Sequence, residues 1–222
     1  MRKSIRTAAA AIGGVFCAAL VFLVTLFIAH KSLPASDLDR VYFDVFYDVP
    51  LEAPKGQLIA FGDSIAFRAP WPLLFPFRSI ENLGIIGEST QMMLRRVPQV
   101  KAAHPEETVI IAGINDIRQG RSLDTWMGDY SKILNTFADV SKRVVVVSVL
   151  PTQTRSYRNT IESANSRIRR LCGTLPNCKF VDGYAALSVQ GYLPDENTKD
   201  GLHLSLLGYW RLRSVLIAQG QL

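Results

Sequence analysis

The sequence predicts a three-layer α/β/α domain on a five-stranded, mostly parallel sheet, preceded by one transmembrane helix. Three observations predict it. Short apolar runs bounded by Gly, Pro, Asn or Asp recur through residues 56–222, as expected of strands buried on both faces. Between them lie stretches with apolar residues at helical spacing, and this alternation builds a parallel sheet covered by helices. Residues 8–29 are 22 positions without a charge, about 33 Å of helix and close to the apolar thickness of a bilayer.

The elements follow in order. Residues 1–31 hold Arg2, Lys3, Arg6 and Lys31 and no acid. The positive flank places the N-terminus in the cytoplasm and everything after His30 outside it. The apolar span exceeds a secretory core of about 7–15 residues, so it reads as a retained signal anchor through residues 8–29; cleavage would leave a secreted domain. Residues 32–55 form a juxtamembrane connector whose aromatic stretch "VYFDVFYDVP" suits either the domain or the membrane surface.

Residues 56–222 form the folded domain. Strands are expected at Leu58–Phe61, Ser79–Leu83, Thr108–Ala112, Arg143–Val149 and Lys179–Val181. Helices are expected at Ser89–Ala103, kinked or divided by Pro98, and at Leu123–Val140, Tyr157–Leu171 and Ser205–Gln219. Trp126, Trp210 and the methionines are expected in the core. The order of elements is that of a flavodoxin-like, doubly wound sheet, in which ligands sit beyond the carboxyl ends of the strands.

Composition excludes some functions. The net charge is +6, but four of those charges lie in residues 1–31. The nearly balanced remainder, without a basic stripe, argues against a nucleic-acid partner. No Cys/His cluster has zinc spacing. Cys172 and Cys178 flank a turn-rich loop; they either close a small disulfide ring or remain two thiols at a helix end.

The chemistry-bearing residues gather at one edge of the sheet. Ser64 follows the first strand in "FGDSIA". Gly84 and Gly87 follow the second in "NLGIIGEST", and Asn115 follows the third in "GIND". "DGLH" places Asp200 three residues before His203, a spacing that lets the carboxylate reach the imidazole and leaves Nε2 for Ser64. His104, in a polar helix end before Pro105, is expected to be solvated. Asp63 and Asp116 are expected to be structural, bonding turn N–H groups beside the site.

These four blocks, in this order, resemble the SGNH (GDSL-type) hydrolases, and the resemblance covers Ile59 to about Gly208. It implies Ser64 as nucleophile, His203 as general base and then acid, and Asp200 as the orienting acid. It implies an oxyanion hole of the Ser64 N–H, the Gly87 N–H and the Asn115 amide, with Gly84 the neighbour that could be taken for Gly87. No metal or organic cofactor is implied, because acyl transfer through an acyl-serine suffices. By the same resemblance "APWPLL" enters the first helix with Pro72 in its first turn, and Pro76 departs from a regular helix.

The expected activity is that of a membrane-anchored, extracytoplasmic serine esterase. Its expected substrate is a cell-envelope or exported glycan carrying short acyl groups such as acetyl. A glycan O-acyltransferase using the same triad, a lysophospholipase or thioesterase acting on lipid or thioester, and a non-catalytic glycan-binding domain are the alternatives.

Overall fold

The computed structural model describes residues 58–220 and 222. The expected membrane span and connector lie outside the described residues. Among the described residues no helix is long and apolar enough to cross a membrane.

Five strands form one sheet: β1 (Leu58–Gly62), β2 (Ile80–Gly84), β3 (Glu107–Ile111), β4 (Arg143–Val147) and β5 (Cys178–Val181). Their spatial order is β2-β1-β3-β4-β5 and every pairing is parallel, so the sheet is wholly rather than mostly parallel. The expected strands stand within one or two residues of these bounds. The central strands β1, β3 and β4 are almost entirely buried, while the edge strands β2 and β5 are half-exposed. That is why the Val/Ile runs belong to the centre and "IENLG" to an edge.

The helices form two groups. Thr90–Met93 (α3), Val97–Ala103 (α4), Leu123–Val140 (α6) and Arg158–Gly173 (α7) make up one, with α6 packed on the other three. Ser64–Arg68 (α1), Trp71–Leu74 (α2), Gly183–Leu187 (α8) and Leu206–Val215 (α9) make up the other; α9 packs on α2 and α8, and its Tyr209 hydroxyl donates to Ile65 O of α1 (2.8 Å). A short helix, α5 (Ile114–Arg118), follows β3.

Several expectations need correction. The division expected in the helix over Ser89–Ala103 is found, but it falls before Pro98: a 3₁₀ turn at Leu94–Arg96 separates α3 from α4, whose second residue is Pro98. Proline lacks the N–H that a continuous helix would need there. Pro72 lies in the first turn of the second short helix, α2, as its second residue, and not in the first helix. The last helix ends at Val215 and continues as a π-turn over Leu216–Gly220. Trp126 and Met93 are core residues, but Trp210 is 37% exposed beside the exposed Leu206 and Leu207. The buried side of α9 is Gly208, Tyr209 and Leu212; Leu206, Leu207 and Trp210 make a second side apolar, so its periodicity could not choose a face.

Cys172 and Cys178 form a disulfide, with Cα atoms 5.3 Å apart. It ties the end of α7 to the start of β5, at the amino edge of the sheet.

Candidate active site

The chain leaves β1 for β2 on one side and returns to β3 on the other. The carboxyl ends of β1 and β3 therefore flank a crevice where the sheet order reverses. Ser64 is the first residue of α1, directly beyond β1. Asp63, not Ser64, caps this helix: its Oδ1 accepts the Ile65 N–H at 2.9 Å. The Ser64 hydroxyl is thereby left for other work. The Ser64 N–H, in the first turn, has no acceptor within the helix.

Ser64 Oγ lies 3.0 Å from His203 Nε2. His203 Nδ1 lies 2.7 Å from Asp200 Oδ2, and Asp200 Oδ1 accepts the His203 N–H at 2.8 Å and the Leu202 N–H at 3.1 Å. Burial alone would push the Asp200 carboxyl up; the His203 ring and the two backbone N–H groups outweigh it and hold it at about 2. Asp200 therefore stays a carboxylate, and it accepts a proton-bearing Nδ1 while Nε2 faces the serine. Thr198 organises the loop. Its hydroxyl donates to His203 O (2.8 Å) and accepts the Gly201 N–H (2.9 Å). Ser205 caps α9 immediately afterwards.

The two glycines after β2 are separated by their surroundings. A Cβ on Gly84 would stand 2.2 Å from Phe67 N, so Gly84 lets α1 lie against β2. A Cβ on Gly87 would meet nothing within 4 Å, but its φ is +79°. Gly87 is needed for backbone direction, not for space. The Asn115 amide donates to Glu88 O at 3.0 Å, and its Oδ1 accepts from Arg118 Nη1 at 3.3 Å. These contacts orient the amide and leave one of its two N–H donors uncommitted to Glu88. Asn115 is 3% exposed.

Asp63 and Asp116 both bond turn N–H groups. Asp116 is fully buried and accepts the Thr90 N–H (3.0 Å), the Thr90 hydroxyl (2.8 Å) and Arg121. Burial raises its carboxyl above the usual range despite those donors. Arg121 also holds Asp129 at 2.7 Å. Asp63 is 1% exposed and its Oδ2 has no hydrogen-bond partner among the described residues. Burial first, then the like charges of Glu88 and Asp116, push it up to about 7, against the Ile65 N–H and Arg118. His104 is exposed, in the left-handed region at the end of α4. It precedes β3 and so lies at the opposite edge of the sheet.

Three residues escaped the sequence reading. Glu88 and Arg96 form a bidentate ion pair, both about 99% buried or more, with Nε to Oε1 at 2.8 Å. Arg96 also donates to Leu83 O (2.9 Å) and lies over the Phe61 ring. Arg118 lines a cavity of about 460 Å³ together with His203, Asp200, Gln153, Thr154 and Tyr157. One signal pointed to Arg118: it stands three residues after Asn115, on the same helical face.

A family model described as the GDSL-like Lipase/Acylhydrolase family matches residues 60–211. The platelet-activating factor acetylhydrolase IB subunit alpha1 of Bos taurus is 26% identical over 146 residues, 63% of this chain and 62% of that protein. The chain thus matches less than two thirds of that relative's length. A GDSL-like lipase from Bacteroides thetaiotaomicron superposes with a TM-score of 0.66 at 23% identity, covering 80% of this chain and 94% of that one. An acetylxylan esterase from Geobacillus stearothermophilus superposes with a TM-score of 0.63 at 18% identity, covering 72% and 92%. At these identities the structural likeness is one of fold.

Proposed function

Because the chain belongs to the GDSL-like lipase/acylhydrolase family, we propose that it is a serine ester hydrolase that removes short acyl groups, such as acetyl, from cell-envelope or exported glycans. The observation that carries this reading is the line from Ser64 Oγ through His203 to Asp200, at 3.0 and 2.7 Å.

In the proposed reaction His203 Nε2 takes the Ser64 proton as Oγ attacks the ester carbonyl. The Ser64 N–H, the Gly87 N–H and the Asn115 amide stabilise the oxyanion, each such donor being worth about 2.7–4 kcal/mol in the transition state. His203 then gives its proton to the departing alcohol. Water, activated by the same imidazole, releases the acid. Asp200, held ionised, fixes the tautomer and stabilises the imidazolium.

Two matched proteins are named for acetyl esters, an acetylhydrolase and an acetylxylan esterase. This supports a short acyl group. Attachment to the membrane through residues 8–29, with the domain outside the cytoplasm and in the periplasm, rests on the apolar segment and its positive flank. The Cys172–Cys178 disulfide supports an oxidising compartment.

The test is turnover of p-nitrophenyl acetate, butyrate and octanoate by the full chain in detergent, with Ser64→Ala and His203→Ala as controls. Acetate should be preferred and both substitutions should abolish turnover. Preference for octanoate would move the assignment to lipid or thioester substrates. Labelling of Ser64 by a fluorophosphonate without turnover would point to an acyltransferase that lacks its acceptor.

A further inference from the structure

The cavity beside His203 has a chemistry that bears on the substrate. Its walls are polar: Thr152, Gln153, Thr154 and Tyr157 line one part, Arg118 and the Asp200–His203 loop another. Its volume, about 460 Å³, falls within the range of small-molecule sites. The leaving alcohol must receive its proton from His203, and the cavity adjoins that residue.

Arg118 is exposed at the crevice. Arg96 is committed to Glu88, and Arg121 to Asp116 and Asp129. Among the described residues Arg118 makes one hydrogen bond, from Nη1 to Asn115 Oδ1 at 3.3 Å. Among the described residues no carboxylate forms a salt bridge with it. A guanidinium has five N–H donors in a planar fork that fits a carboxylate bidentately. Asp200, the carboxylate in the wall, already has both oxygens bonded.

We infer that Arg118 binds a carboxylate on the alcohol portion of the ester, and that the preferred substrates are acyl esters of uronate-type sugars. The hydroxyl and amide groups of Thr152, Gln153, Thr154 and Tyr157 would meet the sugar hydroxyls. This rests on the esterase reading above and narrows its substrate class.

The test compares two substrates with the full-length protein: a mono-O-acetylated methyl glucuronoside and the equally acetylated methyl glucoside, which differ only in the carboxylate. The readout is the ratio of their kcat/KM values, which is insensitive to any change in basal activity. Wild type should favour the glucuronoside at least about tenfold, as expected of a hydrogen-bonded ion pair. The ratio should fall towards one in Arg118→Gln and shrink as salt is added. Acetyl glycerol phosphate serves as a third substrate. A ratio near one in wild type would overturn the inference. So would an equal loss on both sugars in Arg118→Gln, which would make Arg118 a positioning residue for Asn115 only. A gain confined to the phosphate substrate would also overturn it. Failure to turn over any acetyl ester, p-nitrophenyl acetate included, would overturn the esterase reading as well.

Discussion

The Asn115 side-chain amide donates to the backbone carbonyl of Glu88, at 3.0 Å. This bond ties the loop after β3 to the loop after β2, and so joins two of the three expected oxyanion donors, Asn115 and Gly87. The Glu88 side chain points into the interior, where Arg96 holds it. The position of the Gly87 loop therefore depends on a buried ion pair that takes no part in the chemistry.

Arg96→Met should be strongly destabilising, by about 3–5 kcal/mol, because it leaves the Glu88 carboxylate buried without this cation. Combining it with Glu88→Gln should recover much of the loss. Denaturant unfolding of both variants measures this; equal stability of the single and double variants would contradict it.

Gly84→Ala and Gly87→Ala should fail in different ways. At Gly84 the new methyl would press on the α1 backbone at 2.2 Å, so the thermal midpoint should fall sharply. At Gly87 there is space, and the left-handed φ of +79° costs about 1–2 kcal/mol. Esterase turnover should then drop more than stability does, if the Gly87 N–H is an oxyanion donor as proposed. Parallel measurement of melting and kcat separates the two.

Asp63 should make stability fall as pH rises. Its folded carboxyl titrates at about 7, against an ordinary value of 3.8. Between those values the folded state binds more protons than the unfolded one, so unfolding becomes easier as pH increases. The full effect is of the order of 4 kcal/mol, at about 1.4 kcal/mol per unit. Asp63→Asn keeps the acceptor for Ile65 and removes the titration. The stability of wild type minus that of the variant should decline from pH 4 to pH 7; a flat difference would contradict the assignment.

Reducing the Cys172–Cys178 disulfide, or replacing both residues with Ser, should lower stability by roughly 2 kcal/mol, as loop-closure entropy predicts for so short a ring. Turnover at low temperature should be unchanged, because the bridge lies at the amino edge of the sheet and the site at the carboxyl edge.

Much of this architecture was legible in the residues. β1, β3 and β4 are buried on both faces, so their sequences are unbroken apolar runs with clear ends. The residues beyond their carboxyl ends could then be placed at one edge before any coordinates. "DGLH" needed only a turn to bring Asp200 to His203. Charges were harder to read. A sequence shows Glu88, Arg96 and Arg121 as polar positions, and only the fold shows that pairing makes their burial possible. Asp63 illustrates the same limit: its role as a cap follows from chain position, but its burial and raised pKa do not. Trp210 was misplaced because α9 is apolar on more than one side.

A nucleophilic Ser64 carries the acyl group between the two steps of turnover. The most direct measurement is mass spectrometry of the protein quenched during turnover of p-nitrophenyl acetate, followed by peptide mapping. One acetyl group on Ser64, accumulating in wild type and absent from Ser64→Ala, is the predicted result. Undiminished turnover by Ser64→Ala, or acetyl found only on another residue, would contradict it.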